Sequence, residues 1–158
     1  MEVKLKTLMK DSISEVLSGM FFSPVEFSDD FELEEVNDFF KKSIIIAKIL
    51  VESEILFEIY AAVQTEIMKD LTLNFTGKSN ASEEDIQGSL MELLNMAGGE
   101  IVADFFKSRN TKLHIPEISS QSKFLNCISD KNTDKIFVKC NLLDGAIFFV
   151  GSLKKISN

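Results

Sequence analysis

The sequence is poor in the residues from which a self-sufficient active site is usually built. His114 is its only histidine, so a histidine-based metal centre or a Ser–His relay has little to draw on. It is read as a structural residue. Only two cysteines occur, Cys127 and Cys140, both in segments that read as strands. Two buried thiols fit that placement better than a disulfide or a metal pair. There is no P-loop, no GxSxG, no HExxH and no CxxC. Lys and Arg form no run longer than the pairs Lys41-Lys42 and Lys154-Lys155, and 25 acids against 17 bases leave a net charge of −8. Binding to nucleic acid through counterion release needs a clustered basic surface, so no nucleic-acid partner is expected. The apolar runs at 44–47 and 146–150 fall far short of the roughly 18 residues of a membrane span. The start, MEVKLKTLMKDS, has acids and polar residues where a signal peptide has its apolar stretch. These absences predict a cytoplasmic protein with no membrane partner and no metal of its own.

What is present is an ordinary globular composition: 158 residues, 45% of them apolar, enough for one core and one domain over 1–158. Apolar residues recur at helical spacing over 4–21 and again over 61–75. Residues 43–52 and 55–60 are rich in β-branched side chains and read as neighbouring strands across a short turn. Residues 31–40 and 124–128 also read as short strands, and 112–118, which contains Pro116, as an edge strand. Residues 134–143 and 145–154 form a hairpin, with Asp144-Gly145 as the turn signal. Gly77, Ser79 and Asn80 mark a loop, and Ser82 followed by Glu83, Glu84 and Asp85 is an N-cap with acids in the first helical turn. The helix it opens is expected to reach about residue 107, with Lys107 and Arg109 at its C-terminal end. Short connections between strands predict a mainly antiparallel sheet. The expected fold is therefore α+β, a two-layer sandwich with the helices packed on one face.

The helix opened at Ser82 has an unusual outer face. On a wheel of about 100° per residue with Leu90 at zero, Ile86, Leu94, Ala97, Ile101 and Phe105 cluster around one core direction. Glu92 falls at about 200°, Asn95 at about 140°, Gly99 at about 180° and Gly88 at about 160°, in one stripe opposite the core, flanked by Met96 and Phe106. No Lys or Arg occurs between Asp85 and Phe106. A solvated face would carry good helix formers, whereas each glycine costs about 1 kcal/mol relative to Ala. Two readings stay open on spacing alone. The stripe is a docking face on which glycines admit another backbone and Met96 adds adaptable apolar contact. Alternatively, Glu92 and Asn95 are indifferent surface residues and the glycines are tolerated drift, or Gly98-Gly99 marks a tight crossing with another helix of the same domain.

At i and i+3, Glu92 and Asn95 project side by side. The carboxylate suits an ion pair with a partner's Lys or Arg. The neutral amide donates and accepts, so it holds and aims a water molecule, although it is too weak a base to take a proton. Phosphoryl hydrolysis is a reaction in which aiming the water is much of the catalysis. With so little other chemistry in the chain, the pair suits an enzyme that lends two groups to a partner's site.

The stretch Glu92-Leu93-Leu94-Asn95-Met96-Ala97-Gly98-Gly99 resembles the E-x-x-N-x-x-x-G signature of the CheC/CheX/FliY family, phosphatases of CheY-type response regulators. Its placement on a long helix, after a polar loop and before a proline-bearing strand, is similar too. The resemblance implies an internal pseudo-repeat, with a second copy of the motif on the first helix in two-site members. Here that helix carries Glu15 but has Ser18 where the asparagine would stand, which resembles the single-site CheX type. Gly88 stands where the family favours Asp or Ser. By resemblance, the partner is a phosphorylated CheY-like receiver domain. Glu92 would pair with its active-site lysine, Asn95 would orient the attacking water, and Gly88, Met96 and Gly99 would form the docking surface. Mg²⁺ would come from the receiver, no cofactor would belong to this chain, and a homodimer joined through the sheets is expected. The alternative from the same family is a non-catalytic adaptor for a receiver domain or a flagellar switch component. A small-ligand sensor has only the apolar interior in its favour.

Overall fold

The computed structural model describes residues 1–28, 31–107 and 110–156. Five helices and seven strands run in the order α1 (Glu2–Met20), β1 (Glu26–Ser28), α2 (Leu33–Phe39), β2 (Ile44–Glu52), β3 (Ile55–Gln64), α3 (Thr65–Thr76), α4 (Glu83–Asp104), β4 (Lys112–Leu113), β5 (Glu117–Ile118), α5 (Gln121–Ser129), β6 (Asp134–Asn141) and β7 (Ala146–Lys155). The strands form one sheet in the order β1-β6-β7-β3-β2, with β4 and β5 both pairing along the far side of β2. Every pairing is antiparallel. This is the α+β architecture expected.

The sheet order also exposes the internal repeat. Apart from α3, each half runs helix, short edge strand (β4 and β5 together in the second), short helix, hairpin. The edge strand of each half pairs with the hairpin of the other, β1 on β6 and β4 and β5 on β2, and the two hairpins meet at β3 and β7. Exchanging the halves therefore reverses the strand order onto itself.

Side chains alternate across each strand with a period of two. On β3, Phe57, Ile59, Ala61 and Val63 enter the larger core, while Tyr60 and Ala62 enter a smaller one on the other face. The long helices α1, α3 and α4 cover the first face, as expected. The second face is not left to solvent. Phe39 of α2 meets Phe148 edge-on at 4.8 Å, and Phe124 of α5 meets Tyr60 at 6.0 Å.

These two short helices occupy segments expected to be strands. Residues 31–40 are rich in Phe, which favours strands, but Val36 and Phe39 lie three apart on one helical side and bury together. Residues 121–129 are helical because the Ser120 hydroxyl accepts the Lys123 N–H at 3.2 Å, capping the first turn. Cys127 is thus on a helix and half-buried, whereas Cys140 is on β6 and buried, and both are free thiols. Burial raises the Cys127 thiol pKa and pushes that of Cys140 up to about 12, so neither is poised to react.

Three boundaries also move. Residues 61–64 extend β3 rather than begin α3. Helix α4 stops at Asp104, short of Lys107, and Arg109 lies outside the described residues. At the β6–β7 turn, Gly145 is not in the left-handed region. It is small because a Cβ there would lie 2.8 Å from Ile67 Cδ1 of α3.

Candidate functional site

Helix α4 is held in place at its start. The Ser82 hydroxyl accepts the Asp85 N–H at 3.1 Å, and the Asp85 carboxylate accepts the Ser82 N–H at 3.1 Å, a reciprocal capping box. These bonds, reinforced by Lys78 at 3.3 Å, hold the Asp85 carboxyl below its ordinary value. The inner side buries Ile86, Leu90, Leu93, Leu94, Ala97 and Ile101. Each buried Leu contributes roughly 1.5–3 kcal/mol. That outweighs the cost of about 1 kcal/mol for each of the helix's three glycines.

The outer stripe is where the wheel placed it. Glu92 and Asn95 are both exposed, and Gly88, Met96 and Gly99 are half-buried around them. Neither the Glu92 nor the Asn95 side chain hydrogen-bonds or ion-pairs with a described residue. The structure separates the glycines into two kinds. A Cβ on Gly88 or Gly99 would meet nothing within 4 Å, so both present bare backbone outward. A Cβ on Gly98 would lie 3.2 Å from Leu113 Cδ1 and 3.3 Å from Ile49 Cδ1. The close approach is therefore at Gly98 alone, and it is to strands β2 and β4 rather than to another helix, while Gly99 has no such duty. Met96 leans on the core rather than standing free. Phe106 is not part of the stripe: past the end of α4 the wheel no longer applies, and its ring is buried 6.1 Å from Phe57.

On α1 the equivalent positions Glu15 and Ser18 are also exposed. Glu15 faces Glu100 of α4 across the helix pair. Partial burial, then the Glu15 charge, hold the Glu100 carboxyl above its ordinary 4.5, although the Ser12 hydroxyl opposes the shift. A raised carboxyl pKa means the folded state binds more protons than the unfolded one, so stability falls as pH rises from 4.5 through the folded value. Glu100→Gln is expected to raise the thermal midpoint near neutral pH and to flatten that part of the stability–pH curve. A midpoint lowered at neutral pH, measured by calorimetry, would contradict the assignment.

Elsewhere, His114 is accounted for as a structural residue. Its ring Nε2 lies 2.7 Å from a Glu52 carboxylate oxygen, and its backbone N–H donates to the Leu50 carbonyl at 2.9 Å, tying the end of β4 to β2. Among the described residues, no three His, Cys, Asp or Glu side chains converge as a metal site. No described helix is long and apolar enough to cross a membrane. The site is thus one carboxylate and one amide, unpaired among the described residues, on a helix face without Lys or Arg.

Comparison with known proteins agrees with this architecture. No curated protein matches the sequence significantly. Among solved structures, the chemotaxis protein CheX of Vibrio vulnificus superposes with a TM-score of 0.76 at 13% identity, covering 98% of this chain and 99% of that one. The CheX of a CheX–CheY–BeF3–Mg complex from Borrelia burgdorferi gives 0.69 at 14% identity, over 94% and 96%. FliY of Thermotoga maritima gives 0.62 at 10% identity, over 93% and 85%. At these identities the likeness is one of fold. Residues 45–141 match the sequence model of the family described as chemotaxis phosphatase CheX. That match takes in most of the chain, including the whole of α4, and the chain accordingly belongs to the CheX family.

Proposed function

We propose that this protein hydrolyses the phosphoaspartate of a CheY-like receiver domain in the cytoplasm. The observation that carries the reading is the pair Glu92 and Asn95, exposed and without side-chain partners among the described residues, with open glycine backbone at Gly88 and Gly99 on either side. A surface carboxylate and amide with nothing of their own to bind are suited to groups on another molecule. In this reading Gly88 and Gly99 let the receiver backbone approach the helix, and Met96 adds apolar contact. Glu92 pairs with the lysine beside the phosphoaspartate. Asn95 reaches the phosphoryl group and holds a water in line with phosphorus, its carbonyl oxygen accepting from the water. Mg²⁺ belongs to the receiver, where it offsets charge on the phosphoryl oxygens. A homodimer joined through the sheets is part of the same proposal, tested by sedimentation.

Glu92 serves docking more than chemistry. Glu92→Ala is expected to raise the receiver concentration for half-maximal rate about tenfold, as loss of one charge-assisted contact implies, with a smaller change in the maximal rate. Steady-state kinetics with a phosphorylated receiver tests this. An unchanged half-saturation and rate would remove the ion pair from the account.

A non-catalytic adaptor is the second reading. It is favoured by the fold similarity to the middle domain of FliM from Vibrio alginolyticus, with a TM-score of 0.55 at 11% identity, and by Ser18 on α1, which stands where by resemblance a second motif would carry its asparagine. The readings separate on turnover. A phosphatase accelerates decay of the acyl phosphate at sub-stoichiometric amounts, whereas an adaptor binds and leaves the decay rate unchanged.

A further inference from the structure

Helix α1 ends in a way that its sequence does not require. Applied to α1, the motif spacing that runs from Asn95 to Gly99 runs from Ser18 to Phe22. Helix α4 continues through its glycine, but α1 stops at Met20. The Ser23 N–H turns back to the Leu17 carbonyl at 2.9 Å, and Phe22 between them takes φ 52°. It is the one non-glycine residue in the left-handed region among the described residues. Helices often end with a residue in that region, but it is usually glycine, and a bulky side chain there is a strained outlier.

The strain is not repaid by burial. Phe22 is 72% exposed and is the one exposed ring among the 14 phenylalanines. After α4, the Phe105-Phe106 pair is covered: Phe106 is buried and Lys4 lies over Phe105 at 5.4 Å. A strained, bare aromatic points to a function outside the fold.

Phe22 lines a cavity of about 650 Å³ formed with residues 23–26, the side of α3 that carries Ile67, Asp70, Leu71 and Asn74, and the β6–β7 turn. Leu143, 97% exposed, lies on that turn. Ile67 and Leu71 line the interior, and Glu26, Asp70 and Asp144 supply carboxylates without any Lys or Arg. None of the three acids is in an ion pair with a described residue. We propose that this cleft docks an extended segment of a partner protein in which apolar side chains sit beside lysine or arginine. The apolar anchors would fill the floor and cover Phe22 and Leu143, and the cations would face the three carboxylates. Apolar rims that stand in solvent are covered by a chain lying across the surface better than by a small molecule held inside. The inference does not depend on the phosphatase reading.

The test is selection from a displayed library of random short peptides on the immobilised full chain, followed by fluorescence anisotropy with the enriched peptides. Enrichment of apolar residues flanked by Lys or Arg is expected. Phe22→Gly should weaken those peptides roughly tenfold or more, as removal of an aromatic anchor does, while leaving the thermal midpoint equal or higher because glycine accepts this backbone. A merely structural Phe22 would give the opposite pair of results. Phe22→Asn and Leu143→Ser guard against a folding failure in the first variant. Asp144→Lys should also weaken the peptides. No enrichment, enriched peptides without cations, or affinities indifferent to Phe22→Gly and Leu143→Ser would overturn the proposal. So would an oligomer of the wild type that Phe22→Gly dissociates, since the cleft would then hold a second copy.

Discussion

Asn95→Ala is expected to lower the maximal rate of receiver dephosphorylation by about 100-fold or more, with little change in the affinity for the phosphorylated receiver. The magnitude follows from the geometry of in-line attack, where displacing a reacting group by about 1 Å costs on that order. Asn95 is exposed and its side chain makes no hydrogen bond to a described residue, so the thermal midpoint should not fall and should rise slightly through the better helix propensity of Ala. That combination separates loss of a water-positioning group from loss of the domain. Asn95→Asp is a sharper variant. It preserves the shape, but it loses the N–H donors and places a second carboxylate beside Glu92 near a phosphoryl group. It should be at least as slow as Asn95→Ala and should also bind worse. An Asn95→Ala protein with wild-type turnover, measured by phosphate release under receiver excess, would remove the amide from the mechanism.

The adjacent glycines of α4 are expected to respond in opposite ways to the same substitution. Gly98→Val should destabilise the fold by about 1–3 kcal/mol through overpacking, because the first carbon added is already 3.2 Å from Leu113 and 3.3 Å from Ile49. Gly99→Ala should stabilise it by up to about 1 kcal/mol through helix propensity, because a Cβ there meets nothing within 4 Å. In the phosphatase reading the stabler Gly99→Ala protein is also the poorer docking partner, with weaker receiver binding, whereas Gly98→Val keeps the contact stripe and loses stability. Denaturant unfolding and receiver titration of both variants test the pair. Equal stability effects would mean that the helix is not seated on β2 as described. Undiminished receiver binding by Gly99→Ala would mean that the open backbone is not the contact surface.

The outward stripe of α4 was legible in the sequence because a long helix with six inward apolar positions leaves little freedom in its rotation. Glu92, Asn95, Gly88 and Gly99 followed from Leu90 and Leu94. The wheel also set Gly98 and Gly99 about 100° apart, but it carries no information on what lies across from each. Only the position of Leu113 and Ile49 assigns Gly98 to packing. Phe106 was misplaced for a related reason: the wheel presumes a helix that has in fact ended at Asp104.

The short helices α2 and α5 were read as strands because seven and nine residues offer two turns or so of periodicity. Apolar composition outvoted it, with three Phe over 31–40 and four apolar residues of five over 124–128. The Ser120 cap was an available signal for α5. Nothing in the local sequence marks Phe22 for the left-handed region, since the glycine that would suit it, Gly19, sits three residues earlier inside the helix. Residues that obey propensity were readable; those held against it by tertiary contacts were not.

The most direct test of the central claim is turnover counted against protein. A CheY-like receiver from the same genome is phosphorylated, mixed with this protein at sub-stoichiometric amount, and inorganic phosphate is followed with time. The account predicts many phosphates released per molecule of protein, and with Asn95→Ala a decay no faster than the receiver's own, although that variant still binds the receiver loaded with beryllofluoride. Binding by the wild type without any acceleration would contradict it and leave Glu92 and Asn95 as the contacts of an adaptor.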